Sequence, residues 1–249
     1  MDIKSLYDNP GLYDAECAHI MTDNEFWKEI ILREKPNSVL EMGCGTGRIS
    51  EIIIDEIQLY CGIDISKVFL DYFKEKESFK NNEQKISIFN ADVKNLILKQ
   101  KFDLIIFTSQ FLGHIYEIDS FVQIFSNVKK MLSSSGRIVI DYCNPDLRFL
   151  ELHKEYQYCY EFWFHEKIKV FEKNYYRQNE QINYEQRKYV LETGEEVCQT
   201  IPFRIYFPKE LDAMLMMSGL KIVEKYGGYD FSNFEEYCVK QIYLLENNN

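Results

Sequence analysis

No C-x-x-C pair, no long apolar run and no dense basic patch occurs in this sequence, and each absence removes a class of protein. The cysteines, Cys17, Cys44, Cys61, Cys143, Cys159, Cys198 and Cys238, are scattered and odd in number. That argues against a disulfide frame or a zinc site and for a reducing compartment. No apolar stretch approaches the roughly 18 residues of a membrane helix, and the opening MDIKSLYDNPG lacks the charged-then-apolar pattern of a secretory signal. The expectation is a cytoplasmic protein with no metal centre and no membrane partner. Lysine and arginine total 29 against 40 aspartates and glutamates, a formal charge of -11. Lys129-Lys130 and Arg187-Lys188 are isolated pairs, so a phosphate backbone is repelled and nucleic acid is disfavoured as a partner.

What the chain does hold is 46% hydrophobic residues over 249 positions, enough for one large α/β domain with an elaboration, or for two small domains. The stretch Ser38 to Ser50, SVLEMGCGTGRIS, is the most informative. A short apolar run (Val39, Leu40, Met42) ends in glycines at alternate positions, Gly43, Gly45 and Gly47, and an amphipathic helix pattern follows. The pattern predicts strand, tight turn, helix. Glycine is required where the backbone turns with positive φ, or where a ligand comes so close that a Cβ would collide. The loop therefore expects a guest, and amides at the start of the following helix suit an anionic or hydroxyl-rich group. The spacing G-x-G-x-G, with Glu41 two residues ahead of the first glycine, departs from the dinucleotide fingerprint G-x-G-x-x-G.

The segment QLYCGIDIS predicts a second strand, ending in Asp64 about 20 residues beyond the loop. In a doubly wound sheet the carboxyl ends of neighbouring strands line one crevice, which puts this acid beside the loop, able to accept both hydroxyls of a ribose. KISIFNADV predicts a third strand that ends at Asn90-Ala91-Asp92-Val93. FDLIIFTSQF is continuously apolar, as in a strand buried on both faces, and finishes at Thr108, Ser109 and Gln110. Gly113-His114-Ile115-Tyr116 follows, and histidine is the side chain whose charge changes most readily near neutral pH. A helix from Asp119 to Leu132, a turn Ser133-Ser134-Ser135-Gly136 and the strand RIVIDYCNPD complete a βα rhythm.

Upstream, Asn9-Pro10-Gly11 reads as a turn, and Asp23 as the cap of a helix carrying Phe26, Trp27, Ile30, Ile31 and Leu32. Residues 150–207 break the rhythm. They are rich in Tyr, Phe and Trp, and KIKVFEKNYY, QINYEQRKYVL and EVCQTIPFRIYF predict an antiparallel meander of three strands inserted at the sheet's end. Trp163, His165, Arg177, Tyr189 and Arg204 are candidates for an acceptor pocket there, with core packing as the competing reading. Pro208 opens a helix that Gly219 closes, and KIVEKYGGY and CVKQIYLLE predict two final strands.

The E-x-G-x-G-x-G loop, the acid after the second strand and the N-A-D segment resemble the class I S-adenosylmethionine-dependent methyltransferases, in their small freestanding bacterial form. The insert after strand five is similar to that of sugar N-methyltransferases. The resemblance implies an α/β fold: a doubly wound, seven-stranded, mostly parallel, Rossmann-like sheet of order 3-2-1-4-5-7-6 with an antiparallel β insert after strand five. It divides the chain into an N-terminal lid and helix (1–36), a cofactor-binding core (37–149), the insert (150–207) and a C-terminal helix with the last two strands (208–249). It implies S-adenosylmethionine as cofactor, S-adenosylhomocysteine as product, and a cofactor site at Tyr13, Glu41, Gly43, Cys44, Gly45, Gly47, Arg48, Asp64, Ile65, Asp92, Val93, Thr108, Ser109 and Gln110. In that reading the loop and Glu41 hold the methionine moiety, Asp64 the ribose, and Asp92 and Val93 the adenine; Thr108 to Gln110 shape the passage to the acceptor. His114 is the general base or orienting group, and Tyr7, Trp163, His165 and Arg204 lie on the acceptor side. The phrase LYDNPGLYD resembles the N-terminal lead-in with which such enzymes close the site. The N/D-P-P-Y/F motif of DNA amino-methyltransferases is missing after the fourth strand, so a small-molecule acceptor is expected, on a monomer or homodimer. An RNA or protein methyltransferase, or a cofactor-binding sensor or partner subunit without transfer activity, are the alternatives.

Overall fold

The computed structural model describes residues 6–146, 148, 150 and 155–248. In chain order, α1 (Pro10–Ile20) and α2 (Asn24–Glu34) precede β1 (Ser38–Met42), α3 (Arg48–Ile53), β2 (Leu59–Asp64), α4 (Lys67–Glu75), α5 (Glu77–Lys80) and β3 (Ile86–Asn90). Then come β4 (Phe102–Phe107), α6 (Ile118–Met131), β5 (Leu132–Cys143), and four strands, β6 (Gln157–Phe164), β7 (Glu166–Arg177), β8 (Ile182–Val190) and β9 (Glu196–Arg204). The chain ends with α7 (Pro208–Met217), β10 (Leu220–Tyr226) and β11 (Lys240–Asn247). Two compact units result: Thr22–Asn144 with Tyr206 onward, and the chain up to Met21 with Pro145–Ile205.

The larger unit holds a seven-stranded sheet of order β10-β11-β5-β4-β1-β2-β3. β1 to β5 run parallel, whereas β11 pairs antiparallel with β5 and β10 with β11. This is the expected order 3-2-1-4-5-7-6, with β11 and β10 as the last two strands. The apolar run of β4 has a direct explanation in its alternation: Leu104 and Ile106 pack into one core, Ile105 and Phe107 into the other. A strand buried on both faces has no polar position to offer. α2 turns Phe26, Trp27, Ile30 and Ile31 inward, and Lys35, at φ 47°, ends it ahead of Pro36.

Several expectations change. Ser133 to Gly136 is no free turn: β5 starts at Leu132, opposite Phe102, and the four residues bulge opposite Asp103 before pairing resumes at Arg137 and Leu104. Asn9-Pro10-Gly11 is a helix start, with the Asn9 side chain accepting from the Leu12 amide and Pro10 at the first helical position, where its missing N–H costs nothing. The N-terminal segment expected as one piece, 1–36, divides after Met21. The insert follows β5 and is antiparallel, as expected. It forms its own antiparallel sheet, β6-β7-β8-β9, with one strand more than the three expected. The glycine of the β8–β9 turn, Gly194, takes φ 83°. α1 closes one end of this sheet through a small core of Leu12, Phe162, Ile168, Val170, Tyr189 and Leu191. Residues 151–154, in the expected start of the insert, lie outside the described residues.

Candidate functional site

Backbone demand comes first at the glycine loop. Gly43, Gly45 and Gly47 take φ of 77°, 54° and 81°, the left-handed region that side chains other than glycine's adopt at a cost. Their surroundings differ. A Cβ on Gly43 would overlap the Phe111 ring and one on Gly47 the Phe73 ring, so those two positions are reserved for packing. A Cβ on Gly45 would meet only Phe69, at 3.6 Å. Gly45 is therefore the loop position with open space before it, and the expectation that all three glycines make way for a guest narrows to this one.

The loop amides are spent within the protein. Those of Gly43 and Cys44 donate to the Ile63 carbonyl at 2.8 and 2.9 Å, that of Gly47 to the Cys44 carbonyl at 2.9 Å, and that of Gly45 to Asp64 Oδ2 at 2.8 Å. α3 has six residues and a glycine N-cap without a side-chain cap bond. These four amides are therefore engaged within the protein, and the expected donors to a guest are the amides that open α3. What the loop itself presents is Gly45 backed by a carboxylate.

Asp64 closes β2. Its Oδ1 accepts from the Ser66 amide at 2.7 Å and its Oδ2 from Gly45, so both oxygens are aimed by backbone and each keeps a lone pair for a ligand hydroxyl. Burial raises its pKa, against the pull of these amides. Ile65 follows, 74% exposed. An apolar side chain left open beside a part-buried acid suits the face of a planar ring. Asn90 Nδ2 donates to the Asp64 and Ile65 carbonyls at 3.1 and 2.8 Å, tying the end of β3 to that of β2. Asp92 Oδ1 caps the short turn of Val93–Asn95 through the Lys94 amide at 2.9 Å.

Glu41 lies beneath the loop, 1% exposed, between Gly62 on β2 and Ile106 on β4. Tyr60 OH donates to its Oε2 at 2.5 Å and Thr108 Oγ1 to its Oε1 at 2.8 Å. Burial pushes its pKa up to about 7 even so. Glu41 and Thr108 thus support the loop from below. The Cys44 side chain is buried too, packed over Gly62 with its thiol pushed up by burial.

Arg48 reaches back to α2. Its two terminal nitrogens meet Asp23 Oδ1 and Oδ2 at 2.7 and 2.8 Å, and one also reaches Ser109 Oγ at 3.3 Å. Asp23 is fully buried and takes a third bond from Trp27 Nε1 at 2.8 Å. Burial alone would raise this carboxyl; the guanidinium and the indole outweigh it and hold it below its ordinary value. The expectation that Asp23 caps α2 through its side chain is corrected, because no cap bond forms and the carboxylate is given to Arg48.

Ser109 and Gln110, at φ 50° and 61°, are consecutive non-glycine residues in the left-handed region, held just past β4. That reversal leads into the turn Phe111–His114. His114 is partly buried, and burial lowers its pKa, so the imidazole is neutral at pH 7 and able to accept a proton. Among the described residues no cluster of His, Cys, Asp and Glu could hold a metal ion, and no helix is long and apolar enough to cross a membrane.

In the smaller unit Tyr7 and Tyr189 share the neighbourhood of Glu16 and Arg187, whereas the other expected acceptor residues lie elsewhere. Trp163 is 68% exposed on the sheet face opposite Phe162, and His165 forms the β6–β7 turn at φ 59°. Arg177 pairs with Glu180 at 3.1 Å, and Arg204 is buried at the end of β9. Tyr7 and Tyr13 are ring neighbours at 6.3 Å, with Tyr13 packed on the core under α1. Tyr189 is in that core, its hydroxyl donating to Glu16 Oε2 at 3.1 Å. Sequence reasoning missed Tyr60, Glu16, Glu172, Glu185 and Asn183 and gave Asp23 another role. Strand alternation was the available signal for the β8 residues, since NYEQRKY puts Asn183, Glu185, Arg187 and Tyr189 on one face.

Comparison with known proteins adds three observations. The family described as methyltransferase domain matches residues 33–195. YqeM of Bacillus subtilis (strain 168), provisionally named a methyltransferase, is 24% identical over 161 residues, which span 61% of this chain and 64% of that relative. Among solved structures, an S-adenosylmethionine-dependent methyltransferase from Clostridium acetobutylicum ATCC 824 is similar with TM-score 0.79 and 18% identity over 96% of this chain and 97% of that one. CalS10, an S-adenosylmethionine-bound amino pentose methyltransferase from Micromonospora echinaspora, is similar with TM-score 0.76 and 12% identity over 94% and 95%. The chain belongs to the methyltransferase-domain family, and its fold is that of the S-adenosylmethionine-dependent methyltransferases.

Proposed function

We propose that this protein is an S-adenosylmethionine-dependent methyltransferase acting on a small-molecule acceptor in the cytoplasm. The observation that carries this reading is the glycine loop itself. Its one open glycine, Gly45, is coupled through its amide to Asp64, while the Gly43, Cys44 and Gly47 amides are already engaged within the protein. This favours a cofactor that brings hydroxyls and a positive charge over one that brings phosphates. The residues present fit S-adenosylmethionine: Gly45 leaves room for the methionine end, Asp64 accepts ribose hydroxyls, and Ile65 and Val93 offer apolar contact to adenine. Asp92 keeps an oxygen free of its cap bond for the adenine amino group.

When bound, the cofactor supplies a methyl group on a sulfonium, with a good leaving group built in. The protein's share is alignment and exclusion of water, worth several kcal/mol. Glu41 and the Asp23–Arg48 pair act as positioning residues that hold the loop and the Ser109 turn in place. Neutral His114 would act as the base when the acceptor's nucleophilic atom still carries a proton. CalS10, a fold neighbour named an amino pentose methyltransferase, supports an acceptor of that size. In an assay with labelled S-adenosylmethionine and a panel of amines, hydroxyls and acids, His114→Ala should keep cofactor affinity and lower kcat by about 10- to 100-fold, the usual range for losing a general base. An unchanged kcat would remove His114 from the chemistry; no methyl transfer to any acceptor would count against enzymatic function.

A further inference from the structure

Strand alternation sorts the charges of the insert in a way that composition hides. β7, EKIKVFEKNYYR, places all of its cations, Lys167, Lys169, Lys173 and Arg177, on one face and both of its acids, Glu166 and Glu172, on the other. β8 follows the same division: Glu185 and Arg187 share the inner face with Glu172, and Lys188 stands outside, opposite Phe171. The inner face also carries Ile168, Val170 and Tyr189, which α1 covers through Leu12. On the outer face the large rings are open: Trp163 is 68% exposed, Tyr175 58% and Tyr158 55%.

Those rings are laid out in order. Register sets Trp163 beside Lys167, Tyr158 beside Phe171 and Tyr184 beside Tyr175, so aromatic rows recur every four residues of β7, about 13 Å. Lys169 and Lys173 fall midway between the rows. Tyr158 meets Phe171 edge-on at 5.7 Å, and Tyr175 lies 6.3 Å from Tyr184. The cations rest on rings: Lys173 and Lys188 lie 4.7 and 5.0 Å from the Tyr156 ring, and Arg177 5.0 Å from that of Tyr184. Carboxylates on this side sit at the rim. Glu161 pairs with Lys167 at 2.8 Å, Glu196 with Lys188 at 3.1 Å, and Glu180, in the β7–β8 turn, with Arg177 at 3.1 Å. Such exposed pairs are weak and screened by salt, so a polyanion can displace them. A chain of formal charge -11 thus gathers a cationic, aromatic face on one side of one sheet.

We propose that this outer face binds single-stranded RNA, its bases stacked on the Trp163, Tyr158–Phe171 and Tyr175–Tyr184 rows and its phosphates on the lysines between them. Open rings suit unpaired bases, because every base has a π-face, and interleaved cations suit the backbone that joins them. A duplex hides its bases and could use the cations alone. RNA is favoured over DNA because Gln186 and Thr200, beside Lys173, bring an amide and a hydroxyl to the 2′-hydroxyl. Net charge disfavours nucleic acid for the chain as a whole, and the alternation of β7 reverses that locally. The whole face lies in one unit, and binding there is independent of the cofactor loop and of methyl transfer.

The test is fluorescence anisotropy of the full chain with a labelled oligouridine of about 20 nucleotides in about 50 mM KCl, where micromolar binding is expected, weakening about tenfold by about 200 mM. Trp27 is buried and Trp163 exposed, so quenching of tryptophan emission on binding reports stacking on Trp163. Lys169→Glu combined with Lys173→Glu should weaken binding about tenfold, and Trp163→Ala about fivefold with loss of the quenching. Neither should change S-adenosylhomocysteine affinity. If the lysine variant does not fold, Trp163→Ala, at an exposed position, decides alone. Oligodeoxyuridine of the same length, duplex RNA and phosphatidylglycerol vesicles should all bind more weakly. No binding of oligouridine, unchanged affinity in either variant, or equal or tighter binding of the deoxy strand, the duplex or the vesicles overturns the proposal. Failure of S-adenosylhomocysteine to bind, with RNA binding intact, would instead count against the methyltransferase reading and spare this face.

Discussion

Two buried carboxyls, one in each unit, are pushed to about the same pKa and are completed in opposite ways. Glu41 in the parallel sheet and Glu172 in the insert both rise to about 7, burial being the largest cause in each. Glu41 has a hydroxyl on each oxygen, from Tyr60 and Thr108, and its polar chain stops there. Glu172 passes its one asparagine bond outward to Asn183 Oδ1, an acceptor without a donor among the described residues. The closed arrangement stabilises a loop from below; the open one stores an unmet hydrogen-bond demand. Buried polarity that is fully paired supports a site, and buried polarity that is incomplete is itself a candidate for one.

That contrast can be broken experimentally. The largest effect is expected in the core: Arg48→Ala leaves Asp23 buried without its cation and should cost about 3–5 kcal/mol in urea unfolding. Next is a pH effect. The folded pKa of Glu41 lies above the ordinary 4.5, so its contribution to stability is present below pH 4.5 and lost as pH rises through about 7. Glu41→Gln should flatten that decline, by about 3 kcal/mol between pH 4.5 and pH 8. Glu172→Gln should remove the insert's share over the same window, so melting both variants across pH separates the two units. Smallest is Trp163→Ala, whose exposed ring should leave stability within about 0.5 kcal/mol of the parent by thermal melting.

Local chemistry was legible in the sequence and long-range partnership was not. The glycine turn, Asp64 at the end of β2 and the β4 run follow from turn geometry and strand burial, and the structure places them as expected. Reasons that depend on distant residues were hidden. Gly43 and Gly47 are fixed by Phe111 and Phe73, which no reading of the loop could name. Asp23 looked like a cap because Asp before a helix usually is one; its partner Arg48 comes from the loop helix. β6 escaped because QYCYEFWF is aromatic on both faces and its pairing shifts between Tyr158 and Tyr160, which erases the alternation. The acceptor candidates Trp163 and His165 were chosen for residue type. The alternation of β8, a weaker compositional signal, carried the more informative polar face.

The central claim, that Gly45 and Asp64 form a loop for a cofactor without phosphates, is tested most directly by isothermal calorimetry with S-adenosylhomocysteine and NADH, on the parent and on Asp64→Ala. The account predicts one site for S-adenosylhomocysteine on the parent, an affinity loss of about 100-fold in the variant, roughly 3 kcal/mol, and no heat from NADH. Binding of NADH in preference, or S-adenosylhomocysteine bound equally well by Asp64→Ala, would contradict it.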